Sequence, residues 1–277
     1  MTFHENEEIL TLELASVTAW EKKQKDLWFW EKIGRLPFAL LDKWTPRFIQ
    51  NKLGQLMDEL GQYMQTGGKY LINPQDICRR LEAEVGASAH SPLSLEQVGG
   101  LPLAVMDATA QKLRQSRSTI AGIQGAATGV GGIFTLAIDI PLLLGLSLKT
   151  LQEMAICYGY DPRDRAERLF IIKCLQFTSS DIVGKQAILE ELAAFGQAET
   201  RRQVMSQLQG WREVVATYTE NFGWKKLLQL IPIAGILFGA YLNRATIDEV
   251  AETGMMLYRK RRILEKLAQR TDPVPGA

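Results

Sequence analysis

One run of residues constrains this chain more than any other. From Ser118 to Leu148 it reads STIAGIQGAATGVGGIFTLAIDIPLLLGLSL, with Asp139 as its single ionisable group, Arg117 immediately before it and Lys149 immediately after. Gly122, Gly125, Gly129 and Gly132 are spaced three, four and three apart, which puts all four on one face of a helix. Each interior glycine costs about 1 kcal/mol of helix propensity, so a helix here needs a compensating close approach by another helix. Small-xxx-small faces supply that approach in dense, dry packing. Gly125–Gly129 is one GxxxG pair, and Gly235–Gly239, in a second uncharged run, is another. The expectation is that these two faces pack together. A flexible glycine loop is the bland alternative, and loops are rarely this apolar.

Asp139 invites a functional reading, because an isolated carboxylate in apolar sequence usually has a partner or a task; Arg244 and Arg168 are the candidate partners. The competing reading is structural. Asp139-Ile140-Pro141 resembles a helix start, with Asp139 as N-cap and proline in the first turn, and Ile140, preceding proline, is biased away from the helical region. On that reading the run is a helical hairpin with legs Ser118–Ile138 and Ile140–Tyr158. One straight helix over the run would be about 46 Å long, against about 30 Å of bilayer hydrocarbon. Three placements stay open: a hairpin buried in protein, a hairpin dipping into or lying on a membrane, and a spanning segment. The sequence argues against a phosphate-binding loop, since the third position of a GxGxxG reading from Gly129 is Phe134 and no lysine lies between Arg117 and Lys149.

Helical periodicity dominates elsewhere. Glu7–Lys32 carries Leu10, Leu14 and Val17 on one long or broken helix. Thr45-Pro46 starts another, with a stripe through Ile49, Leu53, Leu56, Leu60 and Met64. Asn73-Pro74 caps a helix with Ile77, Leu81 and Val85 four apart, and Gly86–Pro92 is the best linker. Ser94 and Gln97 form a capping-box pair, and a helix starts at Leu103. Gly159 ends a helix, after which Asp161 and Pro162 are expected to open the next, over Arg163–Ser179. A shorter helix and a stripe through Val204, Leu208, Trp211, Val215 and Tyr218 follow, the uncharged run Leu227–Asn243 comes next, and a final helix covers Ile247–Ala268. Period-two alternation is missing throughout. The fold expected is all-α: a multi-helix single domain, about residues 1–270, built around the central glycine-rich hairpin, with a looser part at about 1–90 and a flexible tail at 271–277.

A net charge of +1 argues against a general nucleic-acid binder. Three scattered cysteines suit buried free thiols in a reducing compartment, and two histidines, His4 and His90, leave little material for a metal site. No cofactor, metal or nucleotide is expected. The acidic start MTFHENEEIL lacks the basic segment of a secretory signal, so a cytoplasmic chain is expected. Two features favour a membrane: Trp28-Phe29-Trp30 with Trp20 and Trp44 nearby, because such rings favour interfaces, and Arg259-Lys260-Arg261-Arg262, which could meet anionic headgroups. Core packing of the tryptophans and a solvated helix face for the cations are the respective alternatives.

The stretch TGVGGIFTLAIDIPLLLGLSLKTLQEMAICYGYDP followed by ERLFII, and the later IPIAGILFGAYLN followed by YRKRR, resemble the EcsC family over about residues 15–265. Thr128-Gly129, Asp139-Ile140-Pro141 and Tyr158-Gly159 are the most specific part. The family is named for a protein encoded beside the ATPase and membrane subunits of a bacterial ABC transporter. The resemblance implies a helical, membrane-associated protein, with an ABC transporter as the system it would assist; it brings no catalytic residue and no cofactor. The leading reading is a non-enzymatic cytoplasmic protein held on the inner face of the membrane, engaging lipid or a membrane protein complex. A soluble helical scaffold with the hairpin as core is the second reading. An enzyme of hydrolase type, using Asp139 with Glu153 or Glu167, is the third.

Overall fold

The computed structural model describes residues 5–24, 63, 72–86, 92–129, 133–180, 182–194 and 232–271. Among these, every regular element is a helix: α1 (Glu7–Lys23), α2 (Pro74–Val85), α3 (Leu95–Val98), α4 (Leu103–Gly129), α5 (Ile133–Cys157), α6 (Arg165–Ser179), α7 (Ile182–Ala194) and α8 (Pro232–Thr271). The all-α expectation holds.

Local chemistry explains most of the ends. Asn6 caps α1 by accepting from the Glu8 N–H at 3.2 Å, with Glu7 and Glu8 in the first turn and Lys22 and Lys23 in the last, the charge order a helix dipole favours. Asn73 caps α2 in the same way, Pro74 fills its first turn, and Gly86 closes it in the left-handed region at φ 67°. The Ser94 N–H donates to Gln97 Oε1 at 3.0 Å, one bond of the capping box that opens α3. At the end of α5, Gly159 (φ 79°) lets its own N–H reach the Ile156 carbonyl while the Tyr160 N–H reaches Ala155, the paired bonds of a Schellman stop.

Three boundaries differ from the expectation. α6 starts at Arg165, not at Pro162. Asp161 forms a turn instead of a cap: its carboxylate accepts from the Arg163 N–H at 2.9 Å and from Arg163 Nη2 at 2.6 Å. α4 ends at Gly129 and α5 begins at Ile133, so Asp139-Ile140-Pro141 lies inside α5 and does not join two helices. Gly129-Val130-Gly131-Gly132 has the poorest helix propensity in the run, whereas Pro141, the ninth residue of α5, does not end that helix. Finally, the second uncharged run from Pro232 onward and the last helix are a single 40-residue helix, α8. The stripe from Thr45, the linker residues 87–91, the segment Val204–Tyr218, and Trp28, Trp30 and Trp44 lie outside the described residues.

Three long helices form the centre. α4 runs antiparallel to α8, with Asp107 on Arg259, Arg114 on Asp248 and Gly122 beside Arg244. α5 runs alongside α8 in the same direction: Leu151 and Met154 meet Gly254, and Arg262 meets Tyr158. α1, α4, α5 and α6 all pack against α8, α2 lies across α4 and α5, and α7 packs on α6. The main core gathers Leu10, Leu81, Met106, Leu113, Leu151, Phe177 and Tyr258. Trp20 belongs to it, buried against Phe177 with its indole N–H on Glu252 at 3.0 Å. Cys78, Cys157 and Cys174 are buried free thiols, and burial pushes each one up from its ordinary pKa.

Candidate functional site

Two regions and one cluster hold the chemistry of this chain. The first region is the end of the three-helix centre where the uncharged runs lie. A small second core, Ala121 on α4, Leu143 and Leu146 on α5 and Ile247 on α8, closes this end. Around it large apolar side chains face outward: Ile120 is 41% exposed, Ile123 68%, Leu142 48% and Tyr241 61%. The inner side is tight. A Cβ on Gly122 would stand 3.5 Å from Arg244 Cβ and 3.6 Å from the Ala240 carbonyl oxygen, so α4 and α8 approach closely there, and Gly125 is buried. Gly132 lies outside the described residues, as do the side-chain surroundings of Gly129, Asp139, Gly235 and Gly239.

Asp139 and Glu153 stand on one helix, about 21 Å apart along its axis, and so do not share a site. Glu153 is instead held by Arg117, whose Nε and Nη2 each reach it at 2.6 Å. Glu167 accepts from Arg261 Nη1 at 2.6 Å and from the Tyr258 hydroxyl at 3.3 Å.

The basic cluster on α8 points in four directions, as successive helical residues must. Arg259 reaches Asp107 on α4 at 2.9 Å, and Glu13 and Ser16 on α1. Lys260 holds Glu21 on α1 at 2.7 Å. Arg261 pairs with Glu167 on α6 and lies over the Tyr160 ring, 4.1 Å from its centroid. Arg262, buried, donates from Nε to the Tyr158 carbonyl at 2.8 Å and from Nη2 to Gly159 at 3.3 Å, and also pairs with Glu265. These carbonyls end α5, so Arg262 acts as its C-terminal cap. Burial holds Asp107 and Glu167 above the usual carboxylate range, although Tyr158 and Arg259 pull the first down and Arg261 the second. The cluster ties α1, α4, α6 and the end of α5 to α8.

The second region is a cleft of about 460 Å³ between α2, α4 and α5. Arg79, Arg80 and Asp76 come from α2, Arg117 from α4, and Lys149 and Glu153 from α5. Asp76 pairs with Arg79, and Glu153 with Arg117. The hydrogen bonds that Arg117 donates to Glu153 raise its pKa against the effect of its burial. Such a cleft can hold a small anion.

A model of the EcsC protein family matches residues 12–263. The chain belongs to the EcsC protein family. That span begins in α1 and ends in α8 just past Arg262, so it includes both regions and the cluster. Among relatives, the chain is similar to the uncharacterized protein YdbA of Bacillus subtilis (strain 168), at 54% identity covering 96% of this chain and 97% of the relative. It is also similar to Protein EcsC of the same organism, at 28% identity covering 83% and 92%. No solved structure matches the chain.

Sequence reading missed the cleft. The signal available was Arg117 and Lys149 bracketing the uncharged run, together with Arg79-Arg80 on the polar side of α2. What brings them together is the packing of α2 across α4 and α5, which periodicity does not carry.

Proposed function

We propose that this EcsC-family chain is a non-enzymatic, peripherally membrane-associated protein, cytoplasmic and held on the inner face of the membrane by its apolar end. The observation that carries the reading is the group of exposed apolar side chains, Ile120, Ile123, Leu142 and Tyr241, on three helices at one level of the molecule. Full burial of such a side chain is worth about 1.5–3 kcal/mol, so half-exposed ones offer a bilayer about 1 kcal/mol each. Beyond that level the helices carry only uncharged sequence except Asp139. Each extends for roughly 6–9 residues, about 9–14 Å, which fits within one leaflet of a bilayer with about 30 Å of hydrocarbon. Among the described residues no helix is long and apolar enough to cross a membrane.

The contact is placed at the apolar end and not at Arg259–Arg262, whose cations already have partners within the chain. A membrane protein complex, an ABC transporter by the family resemblance, is the protein partner such a placement would serve. A second reading, a helical scaffold whose apolar end is core, is favoured by the close approach at Gly122. Co-sedimentation with phosphatidylcholine vesicles separates the two. The membrane reading expects the native chain in the vesicle pellet and Ile123→Asp/Leu142→Asp in the supernatant; a native chain that stays wholly in the supernatant sinks it.

A further inference from the structure

The cleft between α2, α4 and α5 has no role in the reading above. Among the described residues its charges do not balance: Arg79, Arg80, Arg117 and Lys149 face Asp76 and Glu153, an excess of two positive charges. Each carboxylate is already taken by one arginine. Arg80 and Lys149 remain, and neither makes a hydrogen bond or ion pair with another described residue. The floor is rigid, because Glu153 is almost wholly buried and Arg117 is forked onto it. A pre-organised cationic floor with two uncommitted cations on opposite walls matches a compact dianion, for which guanidinium groups supply paired donors.

We propose that this cleft binds a phosphate group. The position of the cleft bears on the source of the phosphate, and this clause rests on the membrane reading. Arg117 precedes Ala121 by four residues and Lys149 follows Leu143 by six, so both cations stand about 6–9 Å along their helices from the apolar layer. The headgroup region on each side of a bilayer is about 5–8 Å deep. With the apolar end in the acyl boundary, the cleft lies at headgroup depth, where a phosphomonoester lipid would present its phosphate. A soluble phosphate ester carries the same chemistry.

The test uses the full chain, an Arg80→Gln/Lys149→Gln variant, and an Arg163→Gln/Arg165→Gln control that removes equal charge from a distant exposed turn, all checked for native thermal unfolding. Calorimetric titration with inorganic phosphate and glycerol phosphate is run beside sedimentation with phosphatidylcholine vesicles, with and without phosphatidic acid. Saturable phosphate binding that weakens about ten-fold or more in the cleft variant and not in the control supports the site. If the preference for phosphatidic acid vesicles falls in parallel, the ligand is a headgroup; if phosphate binding falls and the vesicle preference is absent or unchanged, it is a soluble ester. No saturable phosphate binding together with no preference for phosphatidic acid, or binding equal in native and cleft variant, overturns the proposal. Retained binding to neutral vesicles in that case leaves the membrane reading standing. Lost neutral-vesicle binding with intact phosphate titration removes the membrane reading alone.

Discussion

Gly159 is the residue with the least freedom to change. Its φ of 79° lies in the left-handed region, which costs an L-residue about 1–2 kcal/mol. A Cβ there would also stand 2.7 Å from the Gly99 nitrogen and 2.9 Å from its Cα, so α3 and its following turn would have to move. Gly86 isolates the first effect: its φ is 67°, with nothing within 4 Å of a Cβ. Gly86→Ala should cost about 1 kcal/mol, and Gly159→Ala about 3 kcal/mol or more, measured as unfolding midpoints in urea. The Arg117–Glu153 pair gives a second contrast. Glu153→Gln leaves a mostly buried guanidinium without its counter-charge and should cost about 3 kcal/mol. Arg117→Met/Glu153→Leu, which removes both charges, should stay close to the native stability; a double variant as unstable as the single one would show that the pair itself is stabilising.

At the scale of elements, one side chain of α8 ends α5. Arg262 spans the Tyr158 and Gly159 carbonyls with one fork, a geometry an ammonium cannot reproduce. Arg262→Lys should therefore lose about 1–2 kcal/mol despite keeping its charge, whereas Arg270→Lys, on an exposed turn of the same helix, should change nothing measurable in the same denaturation experiment. The parts of this architecture legible in the sequence are those decided within a few residues: the Asn73-Pro74 start, the Ser94–Gln97 box and the Gly159 stop. Asp139-Ile140-Pro141 was misread as a joint because a local cap-and-proline signal does not by itself end a helix of apolar sequence, and α5 runs through it. The continuity of α8 through Arg244 was hidden by a change from apolar to charged composition, which alters what a helix faces without ending it. For the same reason Arg259–Arg262 read as one patch, although consecutive helical positions point to different neighbours. The cleft was illegible because its walls are 37 residues apart on α2 and α4 and meet only through tertiary packing.

For the molecule as a whole, α8 is the common support: α1, α4, α5 and α6 pack on it, and its ion pairs reach Glu5, Glu13 and Glu21 near the other end of the chain. Acidic groups on α8 and on the helices that pack against it set the response to acid, with two signs. Hydrogen bonds from Arg114 hold Asp248 below the usual carboxylate range; its contribution is complete above the unfolded-state value and is lost as pH falls through the folded one. Asp107 and Glu167, held up by burial, act the other way: their contribution is present at low pH and is lost as pH rises through their folded values. Asp248→Asn should therefore lose less stability than the native chain between about pH 5 and about pH 3, read from thermal midpoints across that range; an identical acid profile would show that the Arg114 bonds do not hold in solution. The same long helix dictates an order of events during synthesis. α8 leaves the ribosome after every other described element, so Glu13, Glu21 and Trp20 wait through more than 200 residues of translation, roughly 10–45 s at cellular rates, before their partners exist. Until then the faces of α1, α4 and α5 that α8 covers are open to water. Chains halted before about residue 240 should be captured by chaperones, while those that continue past Lys266 close first helix onto last in a single late step.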